Sequence, residues 1–280
     1  MRWLSRVICT VALLACAPAA FADDDALRGS LPVGPAMFPR WSGFYFGGDA
    51  GFGTASGDFS KTTAGPIAFV LRESALENDI GPSSWPVLGG GNNSRAMFGG
   101  FVGYNMQWQD LILSLEGDYR QASFSVNASN NPISRVTPPD SGGNTYLVNL
   151  AGAGSVDDLN YGTLRARAGW IVGNFMPYGF FGLAVGVANT SVSATVSGIE
   201  YAAGSNSTCT VALPCVPFSF TGTSGRTSQV LVGFSVGGGL EVALTRNIFV
   251  RGEYEFVQFA PVSGITLDIS SAHVGAGFKF

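Results

Sequence analysis

The sequence predicts an all-β protein, an eight-stranded antiparallel transmembrane β-barrel with short periplasmic turns and long extracellular loops. Three observations support this prediction: few charged residues, a two-residue alternation of apolar and polar side chains, and strand connections that alternate in length. Of the 280 residues, 46% are hydrophobic and only 12% are charged. Because about a quarter of the residues in a soluble domain are charged, much of this protein's surface need not face water.

The amino terminus is predicted to be a cleaved signal peptide. Arg2 and Arg6 precede an apolar stretch, Val7–Ala17, and Ala20-Phe21-Ala22 forms a small-x-small cleavage site. After this segment, no apolar run in the sequence approaches the roughly 18 to 20 residues that a membrane-spanning helix requires. The expected organisation is a signal peptide (1–22), a periplasmic segment (23–40) and the barrel (41–280).

Eight segments show the period-two alternation that is typical of a strand with one apolar face. The alternation is clearest in His273–Phe280, where apolar residues share one face and small or polar residues share the other. The lipid-facing side of the fifth segment is ambiguous. Leu183 indicates that one face contacts lipid, whereas Tyr178 and Phe180 indicate the opposite face. The expected strands are 43–54, 95–108, 111–125, 160–171, 177–193, 228–242, 248–258 and 270–280.

The connections between these strands alternate in length. Three links are short, around 109–110, 173–175 and 245–247. Three long loops rich in Gly, Ser, Asn and Thr occupy about 55–94, 126–159 and 194–227. Tight periplasmic turns and long outer loops are the pattern of bacterial membrane barrels. Within the first long loop, Ile67–Ile80 could form a short helix packed over the barrel mouth.

Aromatic residues at the predicted periplasmic strand ends agree with this topology. Trp and Tyr favour the membrane–water interface, where the ring body is apolar and the polar tip stays hydrated. The residues expected in this interfacial girdle are Trp41, Trp108, Trp170 and Tyr178.

The cysteine content predicts one disulfide. Cleavage of the signal peptide removes Cys9 and Cys16 and leaves Cys209 and Cys215. In an exported protein, a pair that closes a short loop usually forms a disulfide. We therefore expect a covalent bond that stabilises a loop, with free thiols as the alternative.

Charged residues on the predicted inward faces form the most informative group. Six carboxylates and five cations nearly balance, which suggests a salt-bridge network that plugs the lumen. The alternative is a charged constriction that selects solutes, but an eight-stranded barrel is narrow enough for side chains to fill it. Inward glycines are expected to make room for Arg and Glu. The predicted inward charges are Asp49, Glu116, Asp118, Arg120, Arg165, Arg167, Glu241, Arg251, Glu253, Glu255 and Lys279.

Three stretches resemble the small outer-membrane β-barrel surface proteins of Gram-negative bacteria, which are related to the OmpA-like barrels. They are Trp41–Gly48, Gly162–Trp170 with Met176–Gly179, and His273–Phe280. The resemblance covers the strands from Trp41 to Phe280 but not the three long loops. It implies a porin-family surface protein in contact with outer-membrane lipid and lipopolysaccharide. It also implies a carboxyl-terminal signal for the barrel-assembly machinery, carried by Val274, Ala276, Phe278 and Phe280.

The leading functional hypothesis is an integral outer-membrane surface protein with a structural role in the cell envelope. Its loops would then be available for interaction with a surface ligand or a host partner. The alternatives are a passive diffusion porin for small solutes and a loop-mediated adhesin or ligand binder. The sequence leaves open whether the protein forms a homo-oligomer.

Other function classes find little support in the sequence. His273 is the only histidine, and Ser271 shares its face, but no Asp or Glu lies nearby in sequence to orient the ring as a catalytic triad requires. We therefore expect no enzyme, and a lipid-modifying enzyme is the weakest alternative. No His/Cys cluster has metal-ligand spacing, and the glycine patterns open no helix, so no cofactor is expected. A net charge of −4 without a basic run argues against nucleic acid as a partner.

Overall fold

The computed structural model of the protein describes residues 40–205 and 207–280. The strands in these ranges are β1 (Gly43–Asp58), β2 (Gly90–Trp108), β3 (Leu111–Asn127), β4 (Ile133–Val136), β5 (Thr145–Trp170), β6 (Phe175–Tyr201), β7 (Cys215–Ala243), β8 (Ile248–Val262) and β9 (Ile265–Lys279). Eight of them close into an antiparallel ring, because β3 pairs with β5, while the short β4 adds only to β5. The predicted eight-stranded barrel is confirmed.

Two parts of the predicted domain organisation, the signal peptide and residues 23–39 of the periplasmic segment, lie outside the described residues. Within the described ranges, no helix is long and apolar enough to cross a membrane.

Each strand of the ring places one set of side chains outside and packs the alternate set inside. On β1, Phe44, Phe46 and Phe52 are exposed, whereas Tyr45 and Asp49 are buried. In hydrocarbon, only a closed sheet gives every backbone N–H and C=O group a partner. The exposed apolar face is therefore the face that contacts lipid.

Much of the predicted long loops is strand. The prediction of irregular loops at about 126–159 and 194–227 is wrong, because β5, β6 and β7 continue far beyond the ring. We call this extension, together with β4, the outer sheet; its residues are 133–136, 145–157, 190–201 and 215–226. The sequence prediction missed it because these residues are rich in Ser, Thr and Gly, and they carry no lipid-facing apolar alternation.

β-Bulges separate the barrel from the outer sheet. The register shifts between Gln121 and Phe124 on β3, between Asp157 and Asn160 on β5, and after Ala188 on β6. Ser123, Asp158 and Ser228, which lie at these shifts, have positive φ angles. A bulge bends its strand and increases the local twist. The bulges therefore redirect the three strands at the rim of the barrel.

The first long loop packs against the outer sheet. It contains a helix, α1 (Ala64–Val70), and separate helical turns at Leu76–Ile80 and Pro82–Ser84. The prediction of one helix over Ile67–Ile80 is therefore wrong, because the segment is divided into separate helical pieces. The apolar side chains of this segment pack on the outer sheet and not over the barrel mouth. The apolar face that they cover is formed by Tyr146, Val148, Leu150, Ala194 and Val196.

The barrel interior is layered. Near the short turns, Trp41, Ile112, Met176, Tyr178 and Phe180 form an apolar layer. The charged residues occupy the middle of the barrel. Above them lies a large apolar cluster that includes Phe59, Leu88, Phe124, Leu159 and Phe259. The charged layer is thus enclosed by apolar side chains on both sides.

Candidate functional sites in the barrel interior and the outer sheet

Glu116 lies at the centre of the charged layer. Its carboxylate accepts hydrogen bonds from three guanidinium groups: Arg165 at 2.5 Å, Arg167 at 2.7 Å and Arg251 at 2.9 Å. The hydroxyl of Tyr45 donates a fourth, at 2.6 Å. These donors come from β1, β5 and β8, so one carboxylate on β3 connects strands around the whole ring.

The remaining carboxylates pair with the same arginines and with Arg120. Asp118 accepts two hydrogen bonds from Arg120, at 2.8 and 2.9 Å. Glu253 accepts from Arg165 at 2.6 Å and from Arg120 at 3.3 Å. The shortest ion pairs of the other members are Glu241 with Arg167 (2.8 Å), Asp49 with Arg251 (3.4 Å) and Glu255 with Arg120 (3.5 Å). All of the predicted inward charges are buried.

Hydroxyl groups also donate to carboxylates of the network, and sequence reasoning assigned them no role in it. Tyr178 donates to Glu253 at 2.9 Å, Tyr161 to Glu255 at 3.2 Å and Ser235 to Glu255 at 2.7 Å. Burial of a charge is costly unless the charge is paired and hydrogen-bonded, so each hydroxyl donor lowers that cost. Strand parity could have found Tyr161 and Ser235, since each lies on the inward face of a clearly alternating strand, whereas Tyr178 lies on the segment whose faces are ambiguous in the sequence.

Aromatic rings pack against the arginines. Arg251 lies 3.5 Å from the ring centroid of Phe101, Arg167 lies 4.0 Å from that of Tyr178, and Arg165 lies 4.3 Å from that of Phe180. Cation–π contacts of this kind are strongest where water is excluded. Each guanidinium is therefore held between carboxylates and the face of a ring.

Glycines opposite these rings provide the space. Phe180 pairs with Gly237 across the β6–β7 ladder, and Tyr178 pairs with Gly239. A Cβ atom built on either glycine would collide with its aromatic partner. The prediction that inward glycines make room for Arg and Glu is therefore incomplete. Most of the space is taken by aromatic rings, because a ring is wider than the stem of a charged side chain.

Two residues expected in the interfacial girdle lie inside the barrel. Tyr178 is buried, and its neighbour Phe180 shares the interior face, which settles the ambiguous faces of β6. Trp41 is only 1% exposed. Its backbone N–H donates to the Gln107 side chain at 3.0 Å, and its carbonyl accepts from the Asn105 side chain at 3.0 Å. Trp41 has the same parity as the buried Tyr45 and Asp49, so the alternation of β1 continues back to it, and its expected place in the girdle followed its residue type instead of that parity.

The other two girdle residues lie on the lipid face. Trp108 is 58% exposed and Trp170 is 56% exposed. They flank Leu111 on the neighbouring strands, because Leu111 pairs with Trp108 across β2–β3 and with Trp170 across β3–β5. Both indoles are thus at the short-turn end, where an interfacial girdle is expected.

Lys279 is buried but lies apart from the arginine network. Its ammonium group donates to the backbone carbonyl of Arg40 and lies 4.8 Å from the ring centroid of Trp41. Among the described residues, it has no carboxylate within ion-pair distance. Lys279 therefore holds Trp41 across the short-turn opening and is not part of the central ion-pair cluster.

His273 and Ser271 contact each other, as expected for neighbours on one face. His273 Nε2 and Ser271 Oγ are 2.7 Å apart, and Asp49 Oδ1 lies 4.0 Å from His273 Nδ1. The fold therefore brings a carboxylate to the ring that the local sequence lacks. All three residues are buried, however, with His273 only 4% exposed, so the cluster has no open face for a substrate.

The predicted assembly signal and disulfide lie at opposite ends of the molecule. Val274, Ala276, Phe278 and Phe280 are all exposed on the lipid face of β9 and just after it. Cys209 and Cys215 form a disulfide with a Cα–Cα distance of 5.4 Å. It closes the tip of the β6–β7 hairpin, the farthest point of the outer sheet from the short turns.

The outer sheet contains a cleft, which we call the outer cleft. Its walls are the segment Leu71–Leu76 and the end of β7 near Phe218 and Phe220, and its volume is about 810 Å³. Asp140 and Glu200 lie among its lining residues, and no lysine or arginine does. The described residues, including those of the outer cleft, contain no group of three or more His, Cys, Asp and Glu residues that could hold a metal ion.

Comparison with known proteins finds a consistent group. A model of the family described as "Outer membrane protein beta-barrel domain" matches residues 8–280. The 25 kDa outer-membrane immunogenic protein of Brucella canis is 26% identical over an alignment of 290 residues, which covers 99% of this chain and 98% of that protein. The corresponding protein of Brucella ovis is also 26% identical, with the same coverage.

Solved structures of bacterial surface barrels are also similar. Neisserial surface protein A is 15% identical with a TM-score of 0.34, and the match covers 85% of this chain and 98% of that one. The amino-terminal β-barrel domain of Pseudomonas aeruginosa OprF is 14% identical with a TM-score of 0.34, covering 84% and 97%.

Proposed function

This chain belongs to the outer-membrane protein β-barrel family, and we propose that it is a surface protein whose closed barrel anchors the outer sheet in the membrane. The family and its Brucella relatives confirm the predicted location in the cell outer membrane. The observation that supports a closed barrel is the filled interior. Charged residues from five strands of the ring (β1, β3, β5, β7 and β8) meet around Glu116, Asp118 and Glu253, with apolar layers on both sides.

The direct test of the closed barrel is conductance. The protein, refolded from residues 23–280 and inserted into a planar lipid bilayer, is expected to give no steady current steps, because buried side chains fill the lumen. A porin of known conductance in the same bilayer is the positive control. Reproducible steps that scale with salt concentration would instead support the alternative function of a passive diffusion porin.

We assign no catalytic role to Ser271 and His273. Their burial beneath the apolar cluster supports a structural hydrogen bond inside the barrel. A lipid-modifying activity of the purified protein that disappears in the His273→Ala variant would contradict this assignment.

The second part of the proposal concerns assembly: the alternating apolar residues of β9, ending in Phe280, are recognised by the barrel-assembly machinery. Phe280 is exposed to lipid, its ring centroid lies 5.9 Å from that of Phe46 on the lipid face of β1, and its backbone N–H donates to the carbonyl of Phe44. We therefore expect Phe280→Ser to lower the outer-membrane yield several-fold in cells while leaving refolding in detergent unchanged. The measurement is heat-modifiable barrel in isolated outer membranes.

Phe175→Ser is the matched control for this experiment. Phe175 is another exposed phenylalanine, at the short-turn end of β6. If both variants lose the same yield, loss of a lipid-facing ring explains the effect and the assembly signal is wrong.

A further inference from the structure

The outer sheet is amphipathic across its two faces. One face carries Tyr146, Val148, Leu150 and Val196, and the first long loop covers it. The opposite face is polar, and the hydroxyls of Thr195 and Thr221 lie 3.0 Å apart on it. The apolar face has its own small core, separate from the barrel interior. A sheet used only to connect strands would not require such a core.

Cover of the apolar face is incomplete at β7. Pro66 of α1 packs against Gly222 of β7, and a Cβ atom added at Gly222 would collide with the carbonyl oxygen of Pro66. Beyond that point, Phe218 and Phe220 stack on each other with ring centroids 6.1 Å apart, and Phe220 is 45% exposed. These two rings form the apolar wall of the outer cleft.

The other end of the outer cleft is acidic. Tyr146 donates to Asp140 Oδ2 at 2.7 Å, and this hydrogen bond lowers the pKa of the Asp140 carboxyl. Glu200 pairs with Tyr146 on one side and with Val216 on the other, so its carboxylate lies in the row next to Phe218. Asp79 lies outside the lining residues, and its carboxylate accepts from the backbone N–H of Ser141, a lining residue, at 2.8 Å.

The wall of the outer cleft is also an unpaired sheet edge. β7 pairs with β6 from Cys215 onwards, but its pairing with β8 begins only at Gly233. In the part of the chain that the structure describes, no strand occupies the other side of residues 215–232. Pro217 agrees with an edge position, since proline cannot donate to a ladder. A free edge is a template for an added strand.

From these observations we propose that the outer cleft binds an extended peptide segment of a partner protein, with basic and aromatic side chains alternating with small polar ones. The segment adds to the free edge of β7 by backbone hydrogen bonds, as in other strand-addition complexes. Its aromatic side chains pack on Phe218 and Phe220, and a lysine or arginine reaches over Val216 to Glu200. The segment's small polar side chains continue the hydroxyl-rich face.

This inference rests on the proposed display of the outer sheet at the cell surface, and it names the class of partner. The negative charge of the outer cleft favours a basic partner over an acidic one, because the lining residues include two carboxylates and no cation. The cavity volume of about 810 Å³ lies in the usual range for ligand pockets, and it accommodates a few side chains.

The test is binding of a fluorescent peptide to the protein in neutral detergent micelles. The probe is Lys-Thr-Phe-Thr-Phe-Thr-Lys, and the comparison peptide replaces both lysines by glutamate. We expect the basic peptide to bind at least tenfold more tightly, with the difference decreasing as salt is added. Equal affinity of the two peptides would overturn the assignment of a basic partner.

Two substitutions place the peptide in the outer cleft. Glu200→Gln keeps the acceptor for the Asn144 side chain, now at 3.0 Å, and removes only the charge. Phe220→Ser removes an exposed ring. Each is expected to weaken binding about tenfold, whereas Asp110→Asn, which removes one charge in an exposed periplasmic turn, leaves it unchanged. Affinity that is unchanged in both cleft variants would overturn the site.

Backbone methylation tests the strand pairing. In an added strand, alternate N–H groups point to β7, so methylating one alternate set should abolish binding while methylating the other should not. Equal effects of the two sets would overturn the pairing. The outcome is independent of conductance: a conducting barrel that binds the peptide rejects only the closed anchor, and a closed barrel without binding rejects only this inference.

Discussion

Glu116→Gln is expected to lower the free energy of unfolding by about 3 to 5 kcal/mol, the usual effect of removing one partner from a buried ion pair. Arg165, Arg167 and Arg251 all donate to this carboxylate. The amide is nearly isosteric but neutral, so three buried guanidinium groups lose their shared counter-charge. The measurement is urea unfolding of the refolded protein in phospholipid vesicles, followed by tryptophan fluorescence and by gel migration.

The matched control for this prediction is Glu73→Gln. Glu73 is exposed in the first long loop, and a surface substitution of this kind usually changes stability by less than about 0.5 kcal/mol. The double variant Glu116→Gln with Arg251→Gln should be less destabilised than the sum of its single variants, because contacting residues couple. A Glu116 variant as stable as the Glu73 variant would show that the network does not stabilise the barrel.

Gly47→Ala is expected to destabilise the barrel by about 1 to 3 kcal/mol, the usual penalty for overpacking. Gly47 pairs with Phe101 on β2 and with Gly277 on β9. A Cβ atom there would collide with the Phe101 ring and with backbone atoms of Ala276 and Gly277. The backbone of Ala276 and Gly277 cannot move away from Gly47 without opening the β1–β9 pairing that closes the ring.

Gly117→Ala is the control for this position. Gly117 lies on the outward face of β3, and an added Cβ would meet no atom within 4 Å. Since glycine weakens a strand interior, this variant should be as stable as the parent protein or slightly more stable. If the two alanine variants had equal midpoints in urea, space between the strands would not be what selects glycine at position 47.

The two predictions concern one physical arrangement. The arginines of the charged layer lie on aromatic rings, and the rings fit because glycines occupy the adjacent strands. Phe101 illustrates this, since it fills the space at Gly47 and supports Arg251 at 3.5 Å. A larger residue at Gly47 is therefore expected to displace the ring and with it a donor to Glu116. Packing and electrostatics in this barrel are coupled through the same side chains.

Strand parity in the sequence was enough to predict the barrel and its charged interior. A strand points successive side chains to opposite faces, so one clearly amphipathic stretch assigns every residue in it. Glu116, Asp118 and Arg120 on β3, and Arg165 and Arg167 on β5, are buried for this reason. The family resemblance in Trp41–Gly48 and in the last strand pointed to the same architecture.

Parity failed where the pattern is balanced, and it was overridden at Trp41. Trp41 shares the inward parity of Tyr45, but its residue type assigned it to the interfacial girdle. Tyr178 and Phe180 are large and apolar enough for either face, and what places them inside is the pair of glycines opposite them on β7. The outer sheet was missed because its strands extend beyond the membrane. No lipid contacts them there, so their sequences do not need an apolar residue at every second position.

The sequence by itself therefore determined the fold class, the lipid-facing side of most strands and the set of buried charges, because these follow from local periodicity. Only the tertiary structure decided which charges meet, which rings lie inside, and where β7 is left without a neighbour. Those features depend on strand register, which brings together residues as distant as Asp49 and Arg251. Register is set by bulges and by side-chain packing between strands, and neither can be read from one segment of sequence alone.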